Sequence, residues 1–289
     1  MTTAVVLSGG GERVVAWQVG VLAGLADTGF DVRSARAVVG TSAGAFVGAR
    51  ALAADPRRAA DAVVARASGP AVPDPPSDAD ALFARLAALW TAAGGGDGAR
   101  REVGRLALDR SPGDEAGFVR GMAARLSPAG SWPAALRVVA VDALAGERVV
   151  LDAGAGVPLA LGVAASRSVP LRCPPVQVHG RPHVDGALGS ATNADVLLAD
   201  VKDGEVDRVL VVAAPAAGSV LDRLWAAALD AEVDTLRAAG ARVGVLRPAS
   251  GDRAAMGPDP MSSTLAGLAV VAGREAGRHL AERGCRGTT

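Results

Sequence analysis

The first 54 residues alternate twice between a short apolar run and a helix-length segment, with glycines at each switch. Residues 4–8 (AVVLS) are apolar and run into three glycines. Residues 14–28 (VVAWQVGVLAGLADT) are long enough for a helix, and Gly29 is a natural stop. Residues 36–39 (RAVV) read as a second strand, and 43–54 as a second helix that ends before Pro56. An unbroken apolar run suits a strand buried on both faces, and strands separated by helices pair in parallel through crossovers. The pattern predicts an α/β chain: a three-layer α/β/α sandwich around a mostly parallel sheet.

The pattern pauses over residues 55–130. That segment holds a Pro-rich stretch (GPAVPDPPSDAD, 69–80), a helical piece (ALFARLAALWTAA, 81–93) and a glycine cluster (GGGDG, 94–98). It reads as a helical insertion with mobile connections. A lid over a site and a solvated excursion both fit it. The α/β pattern resumes at 136–142 (LRVVAVD) and 147–152 (ERVVLD), a strand pair across Ala145-Gly146, with a short helix at 158–165. Residues 207–214 and 242–246 read as buried strands, 219–239 and 261–283 as helices. No repeat or linker interrupts the 289 residues, so the expectation is one domain over 1–289.

Half of the residues are hydrophobic, which argues against global disorder. Lys plus Arg and Asp plus Glu both number 30. That balance points away from nucleic acid and gives no steering toward anionic membranes. Cys173 and Cys285 make neither a disulfide framework nor a metal motif, and a reducing compartment fits them. No basic leader is read at the start, and no apolar run reaches the roughly 18–20 residues that span a bilayer. The expected location is cytoplasmic, with no metal and no organic cofactor.

Three short motifs carry chemistry. Ser8-Gly9-Gly10-Gly11-Glu12-Arg13 lies between a strand and a helix, where backbone N–H groups and the helix terminus suit a phosphate or a developing oxyanion. A dinucleotide fingerprint would need glycine where Val14 stands, and the P-loop ending is absent. Gly40-Thr41-Ser42-Ala43-Gly44 has the form G-x-S-x-G, with small residues on both sides as a sharp strand-to-helix turn requires. A serine N-cap of a buried helix would look the same. His183-Val184-Asp185-Gly186-Ala187 offers two bases for a serine: His183, or Asp185 at a strand end. His179 and His183 flank a hairpin turn (Gly180-Arg181-Pro182). His279 sits on a helical face among Arg and Glu and reads as solvated.

The glycine loop, the G-x-S-x-G elbow and the late Asp-Gly-Ala occur in one order, and together they resemble the patatin-like phospholipases, serine–aspartate lipid acyl hydrolases. Three further stretches are similar to that family: AWQVGVLAGL (16–25), AASRSVPLRCPPV (164–176) and DGALGSATNADVLLAD (185–200). The resemblance covers residues 1–50 and 136–215, and hardly touches the insertion. It implies Ser42 as nucleophile and Asp185 as base, in the elbow Gly40, Thr41, Ala43, Gly44 and the motif Gly186, Ala187. The implied oxyanion loop is Gly9, Gly10, Gly11, Glu12 and Arg13, with the Gly10 and Gly11 amides as principal donors. The implied substrate is a phospholipid or related acyl ester, which brings transient contact with a membrane surface. Alternatives are acyl transfer by the same dyad, a lipid-binding relative without turnover, and a Ser-His hydrolase through His183. The family usually has glycine where this chain has Val14. Because VVAWQVGVL reads as continuous helix, Val14 is expected inside it, where no positive φ is needed. An apolar surround of Val184, Ala187 and Leu188 would raise the Asp185 pKa toward that of a useful base.

Overall fold

The computed structural model describes residues 2–67, 77–127, 130–213 and 220–286, with side chains up to residue 280. Strand β1 (Thr3–Leu7), helix α1 (Glu12–Asp27), strand β2 (Ala37–Thr41) and helix α2 (Ala43–Ala53) follow the alternation of the sequence. β1 and β2 pair in parallel, with Leu7 opposite Gly40. α1 begins two residues earlier than its apolar period, so Val14 is helical and fully buried.

Among its described residues the insertion forms four helices: α3 (Pro56–Ala67), α4 (Ala79–Ala92), α5 (Gly96–Arg110) and α6 (Glu115–Leu126). Residues 69–76 of its Pro-rich stretch lie outside the described residues. The glycine cluster is not one loop. Gly94 and Gly95, at φ 75° and 72°, close α4 through bonds to Thr91 O and Trp90 O, and α5 starts at Gly96.

The chain continues through β3 (Leu136–Asp142), β4 (Arg148–Leu151), α7 (Leu159–Ser166), β5 (Val176–Val178), β6 (Arg181–Asp185), α8 (Leu198–Lys202), β7 (Arg208–Val212), α9 (Val220–Ala238), β8 (Arg242–Leu246), α10 (Ser250–Met256) and α11 (Ala266–Arg286). The expected strand 207–214 thus ends at Val212, and residue 214 lies outside the described residues. The expected last helix at 261 starts instead at Ala266, after an unexpected short α10. The Met261 and Thr264 amides donate to Asp259 Oδ1 and Ser262 Oγ, and such local turns compete with helix.

The sheet order is β5-β6-β3-β2-β1-β7-β8, with β4 beside β3. β3, β2, β1, β7 and β8 run parallel; β4, β5 and β6 join antiparallel. Side chains alternate between two cores. Val5, Leu7, Val38 and Val138 face α1, α2, α7 and α11, while Val6, Val39 and Val139 face α8 and α9. Each fully buried Val or Leu contributes roughly 1.5–3 kcal/mol, and the two cores make the layers α, β and α. Among the described residues no helix is long and apolar enough to cross a membrane.

One feature of β3 positions the site. Val138 and Val139 pair with β2 on one side and β4 on the other, and Ala140 and Val141 pair with β4 and β6. β2 and β6 therefore share one edge of β3 and run toward each other. β2 stops at Thr41 opposite Val139, and β6 stops at Asp185 opposite Ala140. The two strand ends bring residues 42 and 185 face to face.

Candidate active site

At the end of β2 the chain turns sharply into α2. Ser42 makes the turn at φ 52° and ψ −109°, a conformation that L-residues with a Cβ rarely adopt. The flanking glycines make it sterically feasible: a Cβ on Gly44 would lie 1.9 Å from Leu7 O, and one on Gly40 would lie 2.6 Å from Ala45 Cα. Ser42 is therefore not an ordinary side-chain N-cap, because its hydroxyl caps no amide of α2. It donates instead to Asp185 Oδ2 at 2.7 Å.

Asp185 accepts a second bond, from the Ala187 amide to Oδ1 at 2.8 Å. Asp185 is 4% exposed, with Val184 and Leu188 buried nearby in the sequence. Burial pushes its pKa up from 3.8 to about 6, against the opposing effects of the Ser42 hydroxyl, the Ala187 amide and the Arg167 charge. The meeting of the two strand ends is bridged by Ser166, the last residue of α7. Its hydroxyl accepts from the Ser42 amide at 2.9 Å and donates to the Val139 carbonyl at 2.6 Å. Asn193 supports the other flank, donating through Nδ2 to Thr41 Oγ1, Gly186 O and Ser190 O. Sequence reading missed both residues. Ser166 lay inside the quoted small-residue block and Asn193 inside the segment after Asp185, but neither type in its local pattern signals a bridge.

The glycine loop divides the five residues expected there. Gly10, Gly11 and Glu12 line the cavity that holds Ser42 and Asp185, and their amides have no acceptor among the described residues. Gly9 departs from expectation. Its amide donates to Ala191 O at 2.8 Å and is not available to a ligand. Arg13 departs too: its Nη1 donates to Gly257 O at 2.7 Å and Pro258 O at 2.6 Å, and its guanidinium does not line the cavity. It is a buttress, tying the start of α1 to the segment before α11. Gly11 sits at φ 85° with Pro260 O only 2.1 Å from where a Cβ would be, so only glycine fits.

The cavity, about 250 Å³, is mostly apolar. Phe83, Leu86 and Trp90 of α4 and Phe118 and Met122 of α6 supply one wall, and Leu221, Leu224 and Trp225 of α9 another. The insertion thus faces the serine. At the polar end, Glu12 accepts from Arg125 Nη2 at 2.9 Å and from Arg167 Nη2 at 2.5 Å. Burial would raise the Glu12 pKa, but the two guanidiniums outweigh it and hold the carboxyl below its ordinary value.

His183 is not brought to the serine. It lies in β6 with Nδ1 2.8 Å from Arg181 O, outside the cavity lining, and burial holds its pKa below the ordinary value. His279 is exposed beside Glu275, at 3.4 Å. Cys173 is a free thiol, and the side chain of Cys285 is not among those described. Among the described residues no cluster of His, Cys, Asp or Glu is placed to hold a metal ion.

A family model described as patatin-like phospholipase matches residues 5–198, a span that includes Ser42 and Asp185. No curated protein matches the chain. Among solved structures, VipD from Legionella pneumophila aligns with 98% of this chain and 67% of its own, at 14% identity and a TM-score of 0.45. The type III effector protein ExoU aligns with 98% of this chain and 53% of its own, at 14% identity and a TM-score of 0.38.

Proposed function

The chain belongs to the patatin-like phospholipase family, and from that premise we propose that it hydrolyses acyl esters of phospholipids or related lipids through an acyl-Ser42 intermediate. Asp185 is the base, and helices α4 and α6 of the insertion are the lid of the acyl pocket. The observation that carries the proposal is the 2.7 Å bond from the Ser42 hydroxyl to Asp185 at the end of an apolar cavity.

The chemistry follows from the geometry. Asp185 takes the Ser42 proton as Oγ bonds to the ester carbonyl carbon, and the carbonyl π electrons move to oxygen. The amides of Gly10, Gly11 and Glu12 are free to receive that charge, and one such donor is worth about 2.7–4 kcal/mol of barrier. The intermediate collapses, the C–O bond to the alcohol breaks, and protonated Asp185 returns the proton to the leaving oxygen. A water then attacks the acyl carbon, giving its proton to Asp185. The second collapse expels Ser42 Oγ, which regains that proton, and releases the fatty acid. A carboxylate is a weak base at its ordinary pKa. A value near 6 reduces that disadvantage while leaving the group ionised at neutral pH.

The test is labelling with a long-chain fluorophosphonate, read by intact mass and peptide mapping. The expected result is one adduct, on Ser42, absent in Ser42→Ala and strongly slowed in Asp185→Ala. Turnover that persists in folded Ser42→Ala would overturn the proposal.

A further inference from the structure

The polar end of the cavity holds two arginines, Arg125 and Arg167, bridged by the Glu12 carboxylate, with Asp185 as the other negative charge acting on Arg167. The guanidiniums of Arg125 and Arg167 lie 4.9 and 5.0 Å from the centroid of the Phe46 ring, and that of Arg50 lies 5.9 Å away. Arg50 donates to the backbone carbonyls of Arg125 and Ser127. One carboxylate, Glu12, accepts from both Arg125 and Arg167. Arg167 is only 8% exposed, yet its Nη1 has no acceptor among the described residues. A buried, unfilled guanidinium nitrogen is costly unless something else is meant to fill it.

Both arginines line the same cavity as Ser42. Arg167 follows Ser166, whose hydroxyl holds the Ser42 amide. Glu12, which holds both guanidiniums, also contributes one of the three free amides. Of the other basic groups nearby, Arg13 does not line the cavity and gives its Nη1 to two carbonyls, and Arg172, which does line it, lies 3.6 Å from Asp78. The planar guanidinium fork matches phosphate oxygens better than any other side chain. We infer that Arg167 and Arg125 form a seat for a phosphate-type oxyanion beside the amides of the glycine loop, with Glu12 orienting both guanidiniums. The source of that phosphate is a lipid headgroup, because the α4, α6 and α9 walls of the cavity are apolar and suit an attached chain. Its place next to an attacked ester rests on the Ser42 reading above, whereas the seat itself does not.

Calorimetric titration of the unmodified protein at pH 7.5 tests this with non-hydrolysable probes below their micellar concentrations. These are octyl phosphate, the neutral 1-O-octylglycerol, and inorganic phosphate alone. The expected result is octyl phosphate binding at least about 10-fold tighter than either of the others. Arg167→Gln and Arg125→Gln should each shrink the preference for octyl phosphate over octylglycerol by about 10-fold. Arg125 is about half exposed, so its variant keeps the test open if Arg167→Gln does not fold. No binding of octyl phosphate, equal affinity for the two amphiphiles, or an unchanged preference in Arg125→Gln would overturn the seat. Inorganic phosphate binding as tightly as octyl phosphate would overturn the headgroup as its source. None of these outcomes depends on turnover, and fluorophosphonate labelling of Ser42 reports the hydrolase separately.

Discussion

Asp185→Asn should abolish turnover and stabilise the protein at neutral pH, and the second effect has a pH dependence that can be worked out. Burial sets the Asp185 pKa at about 6 against 3.8 when exposed. Between those two values Asp185 binds more proton in the folded chain than in the unfolded chain, so its contribution to stability falls as pH rises from about 4 to about 6 and is level above that. At about 1.36 kcal/mol per pKa unit, the ionised carboxylate costs the fold about 3 kcal/mol at pH 8 and about 1 kcal/mol at pH 4.5. Asparagine has nearly the same shape and no charge, so the variant lacks this cost. Loss of the carboxylate's bonds to the Ser42 hydroxyl and the Ala187 amide offsets the gain by about 1 kcal/mol each, with no comparable pH dependence. The variant's stability minus that of wild type should therefore grow by about 2 kcal/mol between pH 4.5 and pH 8. Urea unfolding of both proteins at several pH values measures it, and other titrating groups cancel in the difference. A difference that stays flat or shrinks with pH would refute the claim that the fold holds this carboxylate against its ionisation.

Three further outcomes are expected. The pH profile of kcat/KM on a soluble acyl ester should rise with one apparent pKa near 6 and then level off, because Asp185 accepts a proton only when ionised. Ser166→Ala strips partners from the buried Ser42 amide and Val139 carbonyl; it should lower the unfolding free energy by about 1–3 kcal/mol and slow fluorophosphonate labelling of Ser42 by about 10–100-fold. Gly11→Ala drives a Cβ into Pro260 O at a positive φ, and should slow labelling by about 100-fold or more while a distant glycine such as Gly204 tolerates the same change in the labelling assay.

The sheet was legible because burial on both faces writes itself as unbroken apolar runs. β3 and β8 fall at residues 136–142 and 242–246, where the runs stand, and β1 and β2 differ only at their ends. The insertion was less legible: α5 and α6 carry short apolar stripes among many charges, and α5 opens with two glycines that read as loop. At the site, the turn at Ser42 and Gly44 was legible because its steric demands restrict residue types locally, whereas Asp185 was singled out from His183 only by the resemblance of three ordered motifs to a family. The elbow tolerates nothing larger at 44, while a strand-end aspartate before Gly-Ala is by itself a common turn pattern. Gly9 and Arg13 show the limit of the same logic. They belong to the motif as written, yet the direction of one amide and one guanidinium depends on Ala191, Gly257 and Pro258, which are remote in sequence. Ser166 shows it more sharply. Its role exists only because β2 and β6 meet end to end along one edge of β3, leaving the Val139 carbonyl and the Ser42 amide to share one hydroxyl. That role is a property of strand register, and it spans 124 residues between Ser42 and Ser166. The strained turn at Ser42 thus depends on an antiparallel strand appended to a parallel sheet, and a change of register in β6 would move Asp185 out of reach without touching any motif.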